Sequence, residues 1–137
     1  MKTTEELKVI LDHYMKRNGA TSVFIAPSDK SDNYDNNEAD VIAKFSKLNV
    51  HFYLYIKSRE DYTDAWALRQ ILNYGVQHKE CFDAESGITN IPWVITTADD
   101  FSKEEIKKEA QKRHVRLING KEFANMLAET DMKDTIE

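Results

Sequence analysis

Two residues in this chain have the types and the placement to act on a phosphate. Asp40 heads the segment ADVIAKF and Lys57 ends the segment VHFYLYIK. If those segments are strands joined by the short SKLN connection, they form an antiparallel hairpin that sets Asp40 and Lys57 side by side at one end of a sheet. A carboxylate that holds a divalent cation, beside a lysine that stabilises an oxyanion, is the minimum equipment for phosphodiester hydrolysis. On spacing alone, a cross-strand ion pair at a sheet edge, contributing 0 to about 1 kcal/mol, is the simpler account.

Other site chemistries find little footing. Gly19, Gly75, Gly87 and Gly120 are isolated from one another, so no glycine-rich phosphate loop forms. His13, His51, His78 and His114 are scattered, and His78 with Cys81 lacks a second ligand pair for a zinc site. No GxSxG elbow is present. The tract SDKSDNYDNNEAD places oxygen ligands at calcium-loop offsets, but Tyr34 stands where glycine is required and Asp40 where the bidentate glutamate belongs. It reads as a solvated loop.

The 137 residues are 41% hydrophobic and 31% charged, which suits a single domain with one core. We assign that domain to residues 1–130 and a polar tail to 131–137. A formal net charge of -5 argues against coating nucleic acid by bulk electrostatics, so any such contact must come from a local basic patch. One cysteine, no apolar leader and no long apolar run give the expectation of a cytoplasmic protein without a membrane partner.

The elements that must position Asp40 and Lys57 follow from periodicity. Thr3 and Glu6 form a capping box that opens a helix with Leu7, Ile10, Leu11, Tyr14 and Met15 as its stripe, closed by Asn18 and Gly19. SVFIAP, ADVIAKF and VHFYLYIK read as three strands; in the last, Val50, Phe52, Leu54 and Ile56 share one face and His51, Tyr53, Tyr55 and Lys57 the other. A second helix carries Leu68, Ile71, Leu72 and Gly75, CFDAESGITNIP is a loop, and WVITT is an interior strand. Ser102 and Glu105 cap a charged helix with Ile106 and Ala110 inward. VRLI is a strand, and a final helix carries Phe123, Ala124, Leu127 and Ala128. The order is α-β-β-β-α-β-α-β-α, an α/β fold with a central mixed sheet flanked by helices.

The segment PWVITTADDFSKEEIKKEAQKRHVRLINGKEFANMLAE resembles the C-terminal half of Mrr-type restriction endonuclease catalytic domains, and EADVIAKF and LYIKSRE resemble that family's two active-site strands. The resemblance covers nearly the whole chain, with an apparent insertion around FDAESGITN. It implies a restriction-endonuclease-like fold and a Mg²⁺- or Mn²⁺-dependent nuclease acting on DNA or RNA. It also implies site roles: Asp40 at the metal-binding aspartate, Lys57 at the lysine, Tyr55 at the Gln/Glu position, and the main-chain carbonyl of Ile56 as a further metal ligand. Glu5 and Glu6 fall on the helix that the family sets against its site, and Glu6 or Glu38 could add a carboxylate. Tyr55 is a departure, because a phenol with a pKa near ~10 is protonated at neutral pH and is a poor ligand for a hard cation.

Lys44, Arg59 and Arg69 are the candidate nucleic-acid contacts, while Lys103, Lys107, Lys108, Lys112 and Arg113 read as the solvated face of an amphipathic helix. The alternative to a nuclease is a catalytically degenerate copy of the fold that binds nucleic acid or a protein partner. A small-molecule domain is a third reading, disfavoured by the missing glycine loops. A homo-oligomer is compatible with either of the first two.

Overall fold

A computed structural model describes residues 3–27, 39–57, 87–97 and 104–130. The first helix, α1 (Thr4–Arg17), begins where the sequence places its cap. Thr3 Oγ1 accepts from Glu6 N at 3.2 Å, and Glu6 Oε1 accepts from Thr3 N at 3.3 Å. It ends at Asn18, followed by Gly19 at φ 102, a left-handed conformation that costs glycine little. Leu7, Ile10, Leu11 and Met15 are buried, and so is Lys8, which shares their stripe at i, i+3 and i+7 with Leu11 and Met15.

Three strands follow: β1 (Ser22–Ile25), β2 (Val41–Phe45) and β3 (Val50–Lys57). They pair antiparallel in sequence order. The SKLN connection makes the predicted β2–β3 hairpin through a 3-10 turn at Ser46–Leu48 and Asn49 at φ 54. β4 (Thr89–Thr96) then adds parallel to β3, and β5 (Arg116–Ile118) parallel to β4. The mixed sheet therefore runs β1-β2-β3-β4-β5. Two more helices, α2 (Glu104–Lys112) and α3 (Gly120–Glu129), complete the described elements.

The helices cover both faces of the sheet. Val41, Ala43, Phe45, Leu54, Ile56, Ile95 and Ile118 pack with the stripe of α1 and with Phe123, Met126 and Leu127 of α3. Tyr53, Tyr55 and Val94 pack on the other side with Ile106 and Ala110 of α2. β3 alternates as its sequence predicts, yet both of its faces are buried, because α2 lies over the side that carries the tyrosines. Far from Asp40, Phe45, Phe52 and Trp93 form an edge-to-face row across three strands, and the Arg116 guanidinium caps it 4.8 Å above the Trp93 ring.

Several boundaries differ from expectation. Thr89 to Pro92, read as loop from their turn-forming residues, belong to β4, because β3 offers a parallel partner from Val50 onward. Pro92 is tolerated there because the β4–β5 ladder begins only at Trp93, so Pro92 itself has no β5 partner to receive an N–H. In α3, Met126 is buried and Ala128 exposed, so the inward stripe runs through Phe123, Met126 and Leu127. The helix expected around Leu68 to Gly75, the Ser102 cap and the 131–137 tail lie outside the described residues.

Phe123 is wholly buried between α3 and the sheet. Phe123→Ala is expected to lower the unfolding free energy by about 3–5 kcal/mol, read as a reduced urea midpoint with an unchanged m-value.

Candidate functional site

Asp40 immediately precedes β2 and is buried. Its main chain is locked on both sides: its N–H donates to the Leu54 carbonyl at 2.9 Å, and its carbonyl accepts from Ala26 N at 2.9 Å. Its side chain continues the ladder where the strand has not yet begun. Asp40 Oδ2 accepts from Ile56 N at 2.7 Å, taking the place of a backbone carbonyl.

Register decides what faces Asp40. The β2–β3 ladder ends at Val41 with Leu54, and the Asp40 N–H bonds the same Leu54 carbonyl, so Asp40 stands beside Leu54 with its carboxylate reaching on to Ile56. The backbone partners of Asp40 on β3 are thus Leu54 and Ile56, short of Lys57. The backbone of Lys57 pairs with Thr96, and its side chain lies outside the described part of the structure.

In an extended strand the N–H and C=O of one residue face the same neighbour. Because Ile56 turns its N–H toward Asp40, its carbonyl faces the same edge, where β2 has not begun. The carboxylate and that carbonyl are therefore brought to one place.

Tyr55 is 4% exposed, and its hydroxyl has no hydrogen-bond partner among the described residues. Burial raises its pKa well above the ordinary phenol value, with Tyr53 and Asp40 adding to the shift. It stays a neutral donor at working pH, which is unsuited to ligating a hard cation.

The first turns of α1 reach the same end of the sheet through a residue that the sequence reading passed over. Lys8 has no exposed side-chain surface; its Nζ donates to Glu5 Oε1 at 2.9 Å and to the Ala26 carbonyl at 3.1 Å. Ala26 is the residue whose N–H meets the Asp40 carbonyl, so one side-chain bond and one backbone bond connect Lys8 to Asp40 through Ala26. The signal was present in the sequence as a lysine on the apolar stripe of α1. Glu6, by contrast, is exposed and engaged in the cap, so Glu5 is the helix-one carboxylate tied to this end.

Of the candidate phosphate contacts, Lys44 is not near Asp40. It pairs with His51 toward the hairpin turn, four residues or about 13 Å along β2. There its charge adds to burial in lowering the His51 pKa. Glu38, Arg59 and Arg69 lie outside the described residues. Among the described residues no three His, Cys, Asp or Glu side chains gather as a metal cluster, and no helix is long and apolar enough to cross a membrane. No family model, curated protein or solved structure matches this chain.

Two measurements check this geometry. The folded state holds the Tyr55 proton more tightly than the unfolded chain does, so its contribution is intact below about pH 10 and is lost as pH rises beyond. Tyr55→Phe should match or exceed the wild type at about pH 8 by up to ~1 kcal/mol, and its advantage should widen above about pH 10 in urea titrations. Glu5→Ala leaves the buried Lys8 ammonium with a carbonyl alone. It should cost about 1–3 kcal/mol in thermal or urea unfolding, well beyond the ~0.5 kcal/mol of an ordinary surface change.

Proposed function

We propose that this chain is a nuclease-like domain of the Mrr type that hydrolyses phosphodiesters of DNA with a divalent cation. The observation that carries the reading is the Asp40 carboxylate fixed on Ile56 N, which gathers a carboxylate and a main-chain carbonyl at the end of the β2–β3 ladder. The order of the described elements, with α1 ahead of a three-strand meander and parallel strands after it, supports a restriction-endonuclease-like arrangement.

The donor set suits Mg²⁺ or Mn²⁺, which are hard cations often held by one or two carboxylates together with waters and substrate phosphate. Asp40 and the Ile56 carbonyl would hold the ion. When bound, it would polarise the phosphate and lower the pKa of a coordinated water. Lys57, two positions beyond Tyr55 on β3, would stabilise charge developing on the attacked phosphate. Glu5, anchored by Lys8, is the acidic group of α1 available to orient water from the helix side. Tyr55 takes no part as a ligand and offers a hydrogen-bond donor in its place.

A second reading has its own observation. The buried, protonated Tyr55 leaves the Gln/Glu position without a ligand, as in a degenerate copy that binds nucleic acid or a protein and does not cut. Tyr55→Gln restores an amide oxygen there, and cleavage gained by that variant alone would favour this reading.

Under the nuclease reading, purified protein with Mn²⁺ nicks plasmid DNA. Asp40→Ala and Lys57→Ala each reduce the rate by about 10²- to 10³-fold with unchanged circular dichroism. Equal cleavage by all three proteins would refute the assignment.

A further inference from the structure

We propose that the outer face of α2 is a nucleic-acid contact in its own right, with Lys108, Lys112 and Arg113 gripping the phosphates of a bound DNA strand. A groove of about 450 Å³ opens on this face, lined among the described residues by Lys108, Glu109, Lys112 and Arg113. Three cations against one carboxylate give it a local positive charge on a chain whose formal net charge is -5. Such a contact therefore rests on local electrostatics.

The arrangement of partners along α2 separates it from an ordinary solvated face. Lys107 is paired with Glu104 at 3.2 Å, and Arg113 with Glu109 at 2.7 Å. Those pairs use the acids that Lys108 and Lys112 would otherwise reach at i-4 and i-3. Among the described residues, Lys108 and Lys112 enter no ion pair or hydrogen bond of their own, and both are exposed. They stand four residues apart, a like-charge spacing that mildly destabilises a helix and that a bound phosphate would relieve. The C-terminal end of a helix dipole repels anions, so the side chains alone must supply the attraction.

The groove also has a geometric relation to the proposed site. Ile106 and Ala110, on the inner face of the same helix, pack in one layer with Tyr53 and Tyr55, and Tyr55 directly precedes the Ile56 N–H that donates to Asp40. A strand held on the outside of α2 thus lies one helix away from that layer. The proposal rests on nucleic acid being the substrate, but it does not depend on cleavage.

The test is binding of a short fluorescein-labelled DNA duplex by anisotropy in EDTA, over a salt series. Lys108→Glu/Lys112→Glu is expected to weaken binding at least about 10-fold at low salt. It should also reduce the slope of log K against log salt by about 1.8, the share of two phosphates. Lys47→Glu/Lys121→Glu, at exposed positions elsewhere, changes the net charge equally and should lose far less. No binding by the wild type, no loss in the α2 variant, or equal losses in both variants would overturn the proposal. Failure of the nuclease reading shows separately, as an Asp40→Ala variant that cleaves like the wild type, and leaves the binding result standing.

Discussion

The hydrogen bond from Ile56 N to Asp40 Oδ2 is the constraint on which the candidate site depends. At that point β2 has not begun and β3 still has backbone groups to satisfy. A buried N–H without an acceptor costs about 1–3 kcal/mol, so a carboxylate placed there completes the ladder and is itself held in one orientation. Structural and chemical demands coincide in one atom pair. The same bond that ends the hairpin fixes where an anionic oxygen sits relative to the Ile56 carbonyl.

β3 is the strand through which everything else is referred to that point. It pairs antiparallel with β2 and parallel with β4, and helices bury both of its faces. Its register is therefore specified twice over, since a one-residue slip would exchange Leu54 and Ile56 with Tyr53 and Tyr55 between two differently shaped layers. That rigidity holds Leu54 and Ile56 where they meet the main chain and the carboxylate of Asp40. α1 is tied to the same end by Lys8, whose buried ammonium donates to Glu5 and the Ala26 carbonyl. Burying a charge is costly, and its retention here couples the helix to the β1–β2 end in a way that an apolar residue would not.

Tyr55 shows how a buried position can change the chemistry that its neighbours support. A phenol fills the apolar layer beneath α2 as well as any aromatic, so packing alone would accept it. Its hydroxyl, without a hydrogen-bond partner among the described residues and kept protonated by burial, presents a donor and no anionic oxygen.

Periodicity by itself determined much of the architecture. The capping box and stripe of α1, the alternation of β3 and the SKLN hairpin are all local patterns, set by side-chain direction within one element. Asp40 stood out as a candidate for the same reason, since it heads a strand, whereas Ile56 was suggested only by the family resemblance. What the sequence left undetermined depends on contacts between elements. Thr89 to Pro92 look like loop until β3 supplies a parallel partner, Met126 in place of Ala128 faces inward because of how α3 lies on the sheet, and Lys44 falls at the wrong end of its strand to join Asp40. Lys8 is the clearest case: local rules expect a lysine to reach water, and only the approach of β1 to α1 buries it and gives its charge a carbonyl to meet.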